Sequence, residues 1–144
     1  MSRPVLFVTN HAPPFRVGAF AKLHEREDVT FALVGGDVRH GGGAGAGDGA
    51  YPVLRVRERD VHALAASDEY RAVVAGLSGR LALPSAYAGA RRARVPFVLW
   101  ATIWEHPRTA AHALSYLPLR RLYRRADAIV TYGPHVSALS LIHI

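Results

Sequence analysis

The feature that most constrains the fold is a series of short apolar segments that alternate with segments of helical pattern. The six apolar segments are Val5–Val8, Val29–Val34, Tyr51–Val56, Arg71–Leu77, Pro96–Ala101 and Ala128–Thr131. Segments this short and this rich in Val, Ile and Phe are typical of strands that are buried on both faces. The third segment mixes arginine with apolar residues, so we expect one of its faces to meet solvent. Alternation of strands and helices predicts an α/β fold, with a Rossmann-like, mostly parallel sheet of about six strands flanked by helices.

The segments predicted to be helical lie between most of these strands. They are Val17–Glu25, Asp60–Ala66, Arg80–Ala93 and Thr109–Arg125. Asp60 and Thr109 are suited to cap the helices that they begin. Pro118 is expected to kink or divide the last helix, because proline lacks the backbone N–H that an interior helical position donates.

The connection between the second and third strands is expected to be a mobile surface loop. Residues 35–50 hold eight of the thirteen glycines in the chain. Such a stretch is too flexible for a packed element. A phosphate-binding loop is the alternative, but this stretch lacks the lysine-serine end of a P-loop and opens no helix.

Composition excludes several classes of protein. The 144 residues suit one domain, and the absence of cysteine excludes disulfide scaffolds, thiolate metal sites and thiol nucleophiles. The apolar start of the chain is too short for a signal peptide, and Ala128–Ile144 is too short and too interrupted to span a membrane. We therefore expect a cytoplasmic protein.

The loop after the first strand is the first candidate site, because ligands of parallel sheets bind at the carboxyl ends of strands. It runs from Asn10 to the start of a helix near Gly18. A glycine there lets an anion approach backbone N–H groups at a positive helix end, and Arg16 can add a charged contact to phosphate. The same residues also fit a simple turn. The dinucleotide fingerprint Gly-x-Gly-x-x-Gly is absent, which disfavours a nicotinamide enzyme.

The loop after the fifth strand is the second candidate. Trp104 offers a face on which a sugar ring can stack, and Glu105 and His106 can accept hydrogen bonds from hydroxyl groups. His106 can also serve as a general base near neutral pH. The alternatives are core packing for the tryptophan and a solvated surface for the polar residues.

Two further kinds of site are weighed. The eight histidines have no metal-ligand spacing, and Gly-x-Ser-x-Gly is absent, so neither a metal site nor a serine hydrolase is predicted. Four arginines share one helical face: Arg120, Arg121, Arg124 and Arg125. This face suits anionic lipid headgroups, which gives a possible location at the inner face of the membrane. A solvated helix face is the alternative, and nucleic acid is not an expected partner.

Three stretches, taken in order, resemble the N-terminal half of a family 4 glycosyltransferase of the GT-B fold. They are Val5–Thr9 with Pro13, Pro14 and Gly18; Pro96–Thr102 with Trp104, Glu105, His106 and Pro107; and Arg121–Val136, which contains the step Ala126-Asp127. The resemblance covers nearly the whole chain to Ala138. It departs from the family at Ala19, where a second glycine is common, and the family's paired glutamates are missing.

The resemblance implies a retaining transferase that moves a sugar from a nucleotide diphosphate donor, which is its co-substrate, to a sugar, lipid or small-molecule acceptor, with no further cofactor. Residues 1–138 would form the acceptor-binding half. Gly18 and Arg16 would contact the donor diphosphate, and His106 would be the catalytic residue. Acceptor or sugar contacts would come from Asn10, Thr102, Trp104 and Glu105.

The last residues, Leu139–Ile144, match one translated frame of a transposase adapter used in library preparation. We therefore expect a non-native tail at 139–144 and a natural protein that continues into a donor-binding domain, so that this fragment alone is inactive. Two alternatives stay open: half of a sugar-nucleotide epimerase, and a lone non-catalytic ligand-binding domain.

Overall fold

The computed structural model of the chain describes residues 2–35, 49–76, 81–101 and 110–134. The strands are β1 Val5–Thr9, β2 Val29–Val34, β3 Val53–Val56, β4 Ala72–Gly76, β5 Phe97–Ala101 and β6 Ala128–Thr131. The helices are α1 Val17–Glu27, α2 Val61–Ala65, α3 Ala82–Ala93 and α4 Ala110–Arg125, with 3₁₀ turns at Pro14–Arg16 and Glu58–Asp60. Most of the predicted glycine-rich loop, and the whole predicted tail, lie outside the described residues.

All six strands pair in parallel to form one sheet in the order β3-β2-β1-β4-β5-β6. Val5 of β1 lies opposite Val29 on one side and Ala72 on the other. The α/β fold predicted from the sequence is therefore confirmed. From β1 the chain adds β2 and β3 on one side, and then returns to add β4, β5 and β6 on the other side. Open parallel sheets bind ligands at the carboxyl ends of the strands where the order reverses in this way, here β1 and β4.

The two faces of the sheet bury different cores. Successive side chains of a strand point to opposite faces, so β1 sends Leu6 and Val8 to one side and Val5 and Phe7 to the other. The first side is covered by α2, α3 and α4 and is mainly aliphatic. The second side is covered by α1 and is aromatic, with Phe7, Phe20, Phe31 and Tyr51 in one cluster.

The helix α1 covers only part of its face of the sheet. Val74 and Val98 are half-buried there, and Val130 is 50% exposed. They border an apolar groove of about 520 Å³ beside α1. The prediction that β6 is buried on both faces is wrong. β6 is an edge strand, and no described helix covers it on the side of the sheet that carries α1.

Close packing of α2 on α3 depends on Gly89. A Cβ atom on Gly89 would lie 2.6 Å from the Cβ of Ala65 and 2.7 Å from the carbonyl oxygen of His62. Both distances are shorter than van der Waals contact. The α2 helix is only five residues long, and Ala65 at this close contact is fully buried.

The predicted capping role of Asp60 is wrong, and so is a division of the last helix at Pro118. Asp60 occupies the N-cap position of α2, but its side chain makes no capping hydrogen bond, because a 3₁₀ turn leads directly into the helix. The α4 helix runs through Pro118 without division. Proline has no N–H to donate to the carbonyl group one turn earlier. Because Pro118 is on the exposed side of the helix, water can bind that carbonyl group instead, and the helix continues. Thr109 lies outside the described residues.

The Ala126-Asp127 step has a structural role in joining β5 to β6. A carboxylate oxygen of Asp127 accepts a hydrogen bond from the Phe97 backbone N–H at 2.8 Å, and Arg91 donates to the same oxygen at 3.0 Å. The Phe97 hydrogen bond, with the positive charge of Arg91, holds the pKa of Asp127 below its ordinary value. The start of β6 is thus fixed by a charged side chain.

Candidate functional site at the carboxyl edge of the sheet

The loop after β1 carries Arg16 to the carboxyl edge of the sheet. β1 ends at Thr9, whose hydroxyl group donates to the carbonyl oxygen of His11 at 3.3 Å. The 3₁₀ turn Pro14–Arg16 follows, and the Arg16 backbone N–H donates to the carbonyl oxygen of Pro13 at 2.9 Å. Arg16 is then the N-cap residue of α1. Two prolines with a fixed φ make this a stiff connection.

The Arg16 guanidinium group lies among three aromatic rings. Its Cζ atom is 5.0 Å from the centroid of the Trp100 indole ring, 5.3 Å from that of Tyr132 and 5.5 Å from that of Phe15. All three distances are within the range of cation–π attraction. Stacking engages the flat faces of a guanidinium group and leaves N–H donors at its edge for an anion.

Trp100 is itself held in place from across a neighbouring strand. β4 lies between β1 and β5, yet the rings of Phe7 and Trp100 are 4.8 Å apart between centroids, edge to face. They meet because β4 presents small side chains on this face, with Val74 opposite Phe7 and Gly76 opposite Trp100. The residue types of β4 therefore help to position the arginine.

Gly18 lies in the first turn of α1 and is exposed. A Cβ atom added there would meet no atom within 4 Å, so packing does not require glycine at this position. The first turn of α1 also contains no acidic residue to offset the positive end of the helix. The positive end of the helix, an open approach and the Arg16 charge are together suited to bind an anion.

Tyr132 lies one residue after β6. With Arg16, Phe15 and Trp100 it forms a group that we call the Arg16 cluster. The Tyr132 ring lies 5.5 Å from that of Trp100 between centroids. Partial burial raises the pKa of the Tyr132 hydroxyl above its ordinary value, and the positive charge of Arg16 opposes part of that rise. The hydroxyl group therefore stays protonated at neutral pH and can donate a hydrogen bond.

The structure locates three of the residues predicted from the sequence. Asn10, Arg16 and Gly18 all lie between the end of β1 and the first turn of α1, and Asn10 is exposed at the start of that loop. The other predicted site residues, Thr102, Trp104, Glu105 and His106, lie outside the described residues.

Sequence reasoning missed Trp100 and Tyr132 as partners of Arg16. The available signal was their position, since each aromatic residue stands at the carboxyl end of a predicted strand, where parallel sheets bind ligands. By pattern alone, Trp100 belongs to the apolar run of β5.

Other kinds of site are not found in the part of the chain that the structure describes. No three His, Asp or Glu side chains in it are close enough to hold a metal ion. Among the same residues, no helix is both long and apolar enough to cross a bilayer.

No protein-family model matches the chain, and no curated protein matches it at a significant level.

Proposed function

We propose that this chain is the acceptor-side domain of a retaining glycosyltransferase that uses a nucleotide diphosphate sugar as donor. The parallel sheet, with its reversal of strand order between β1 and β4, supports this proposal because it offers a ligand crevice at the carboxyl edge. The sequence resemblance described above supplies the reaction class.

The observation that carries the proposal is the placement of Arg16. A guanidinium group within about 5 Å of the Trp100 and Tyr132 rings is restricted in its side-chain freedom before a ligand arrives. It stands at the first turn of α1, beside the backbone N–H groups around Gly18. Two oxygens of a diphosphate would be bound by these two kinds of donor, one by the side chain and one by the helix end.

In the proposed reaction, the acceptor hydroxyl oxygen forms a bond to the anomeric carbon of the donor sugar on the same face that the diphosphate leaves, which retains the configuration. The bond between that carbon and the diphosphate oxygen breaks, and the diphosphate leaves with the electron pair. Arg16 and the N-terminus of α1 would stabilise the negative charge that develops on the leaving group. His106 would take the proton from the acceptor hydroxyl, as a general base.

Acceptor binding is assigned to the two loops at the same edge of the sheet. Asn10 would donate or accept hydrogen bonds at the end of β1. From the loop after β5, Thr102 and Glu105 would bind acceptor hydroxyl groups, and Trp104 would stack on a sugar ring. Holding donor and acceptor together in this way reduces the entropic part of the barrier.

The test is a transfer assay on the protein encoded by the complete parent reading frame. It would be incubated with uridine-, guanosine- and thymidine-diphosphate sugars, with and without a mixture of sugar and lipid acceptors. The expected result is release of nucleoside diphosphate that depends on acceptor, and a loss of turnover of roughly 100-fold or more in His106→Ala. The exposed His62, on α2, provides the matched control His62→Ala, which should retain full activity.

The alternatives give different results in the same assay. Conversion of the donor sugar without acceptor would indicate an epimerase. Diphosphate binding without any conversion would indicate a lone ligand-binding domain. Unchanged kinetics in His106→Ala would remove the catalytic assignment of that residue.

A further inference from the structure

A second surface of the molecule is formed by one face of α4. Its members recur at helical spacing and are exposed except for the half-buried Arg120: Leu117, Arg120, Arg121, Arg124 and Arg125. We call this set the arginine stripe. The opposite side of α4 packs Leu122 and Tyr123 into the core, which fixes the orientation of the helix on the sheet.

The arginine stripe is rich in positive charge. The α4 helix contains no acidic residue, and the next acidic residue, Asp127, is already bonded to Arg91 and to the Phe97 backbone. Arg91 also donates a hydrogen bond to the carbonyl oxygen of Arg125, which brings the basic C-terminal end of α3 against that of α4. The basic C-terminal ends of the two helices therefore lie side by side.

Stabilisation of the helix end does not account for the whole stripe. The negative end of a helix favours basic side chains only within its last turn, which here holds Arg124 and Arg125. Arg120 and Arg121 lie a turn earlier, and Leu117 a turn earlier still. The stripe extends along the helix beyond the reach of the helix dipole.

Leu117 distinguishes this surface from a plain solvated face. It is 70% exposed, and with the arginine side chains it lines a shallow hollow of about 380 Å³. A protruding leucine next to arginines can enter the interface of a bilayer while the guanidinium groups contact phosphate headgroups. Binding to nucleic-acid phosphates would not use the leucine.

We propose that the arginine stripe docks the protein on an anionic phospholipid surface. The stripe is on the α2–α3–α4 side of the sheet and the Arg16 cluster is at its carboxyl edge, so docking leaves that cluster open. This would place the protein as a peripheral protein at the membrane face that carries anionic lipid. The proposal does not depend on the glycosyltransferase assignment, because its readout is lipid binding alone.

The test is co-sedimentation of the full 144-residue chain with vesicles of phosphatidylcholine that contain about a third phosphatidylglycerol, compared with vesicles of phosphatidylcholine alone. We expect binding to the anionic vesicles only, weakening as salt rises from about 0.05 M to about 0.5 M. The triple variant Arg121→Gln, Arg124→Gln, Arg125→Gln should bind about 10- to 100-fold more weakly. Its matched control neutralises three exposed arginines elsewhere: Arg26→Gln, Arg57→Gln, Arg59→Gln.

A second pair of variants tests the leucine. Leu117→Ser should weaken binding to anionic vesicles severalfold, whereas Leu81→Ser, at another exposed leucine, should not. Circular dichroism and urea unfolding would establish that each variant is folded. Equal binding of the two triple variants would overturn the proposal. So would an unchanged Leu117→Ser variant together with equally tight, salt-sensitive binding to duplex DNA, which would indicate general attraction to polyanions.

Discussion

The guanidinium group of Arg16 and the indole ring of Trp100 lie 5.0 Å apart, although Arg16 follows β1, Trp100 belongs to β5, and β4 lies between those two strands. The contact is possible because β4 presents Val74 and Gly76 on this face and no larger side chain. It joins the loop after β1 to the end of β5. A charge that is held this way, beside the positive end of α1, is the basis of the proposed diphosphate site.

Gly18→Ala should affect stability and pyrophosphate binding in opposite directions. Because an added Cβ atom meets nothing within 4 Å and alanine favours helix, we expect the free energy of unfolding to rise by about 0.5–1 kcal/mol. The same methyl group would stand where a diphosphate approaches the backbone, so pyrophosphate affinity should fall. Urea unfolding and calorimetric titration measure the two effects. A variant that binds pyrophosphate as the unmodified chain does would show that no ligand approaches Gly18.

Gly89→Ala should have the opposite effect on stability. Its Cβ atom would be 2.6 Å from the Cβ of Ala65 and 2.7 Å from backbone oxygen, so α2 must move away from α3. We expect a loss of about 1–3 kcal/mol in the free energy of unfolding. Urea unfolding measures it, with Gly18→Ala as the control for the helix-favouring effect of alanine. An unchanged midpoint would contradict the close approach of the two helices.

Tyr51→Phe should stabilise the protein. Tyr51 is 5% exposed, and its hydroxyl oxygen has no hydrogen-bond partner among the residues that the structure describes, while its ring packs against Phe20 and Phe31. Removing a buried, unbonded hydroxyl group while retaining the ring should raise the free energy of unfolding by about 1 kcal/mol. Thermal unfolding measures the change. A lower melting temperature would show that the hydroxyl group has a partner.

Asp127 should make stability fall at acidic pH. Its folded-state pKa is lowered from 3.8, mainly by the Phe97 backbone N–H and further by Arg91. A carboxyl group with a lowered pKa stabilises the fold above its unfolded-state pKa, and this stabilisation is lost as the pH falls through the folded-state pKa. Asp127→Asn should therefore be less stable than the unmodified chain at pH 7, and the difference should shrink below about pH 4.

Urea unfolding between pH 7 and pH 3 tests this prediction. Asp68→Asn, at an exposed aspartate, is the matched control. A gap between Asp127→Asn and the unmodified chain that stays constant over the whole range would contradict the proposed role of the Asp127 charge.

The sequence predicted the sheet well because hydrophobic periodicity and strand–helix alternation are local signals. It did not predict that Val130 is exposed, since the burial of a strand depends on which helices cover it. It predicted Arg16 and Gly18 from their place in the chain, but not their aromatic neighbours. The contact of Arg16 with Trp100 and Tyr132 depends on strand order, and on the small side chains of β4 between them, which no local pattern contains.

The diphosphate site is tested most directly by titrating the isotopically labelled chain with pyrophosphate and following its backbone amide signals. We expect the amide signals of Gly18 and Ala19 to shift on binding. We also expect Arg16→Lys, which keeps the charge but loses the flat stacked group, to weaken binding roughly tenfold, whereas Arg26→Lys should have no effect. Shifts that are absent, or that are equal in Arg16→Gln and in the unmodified chain, would contradict a diphosphate site at the N-terminus of α1.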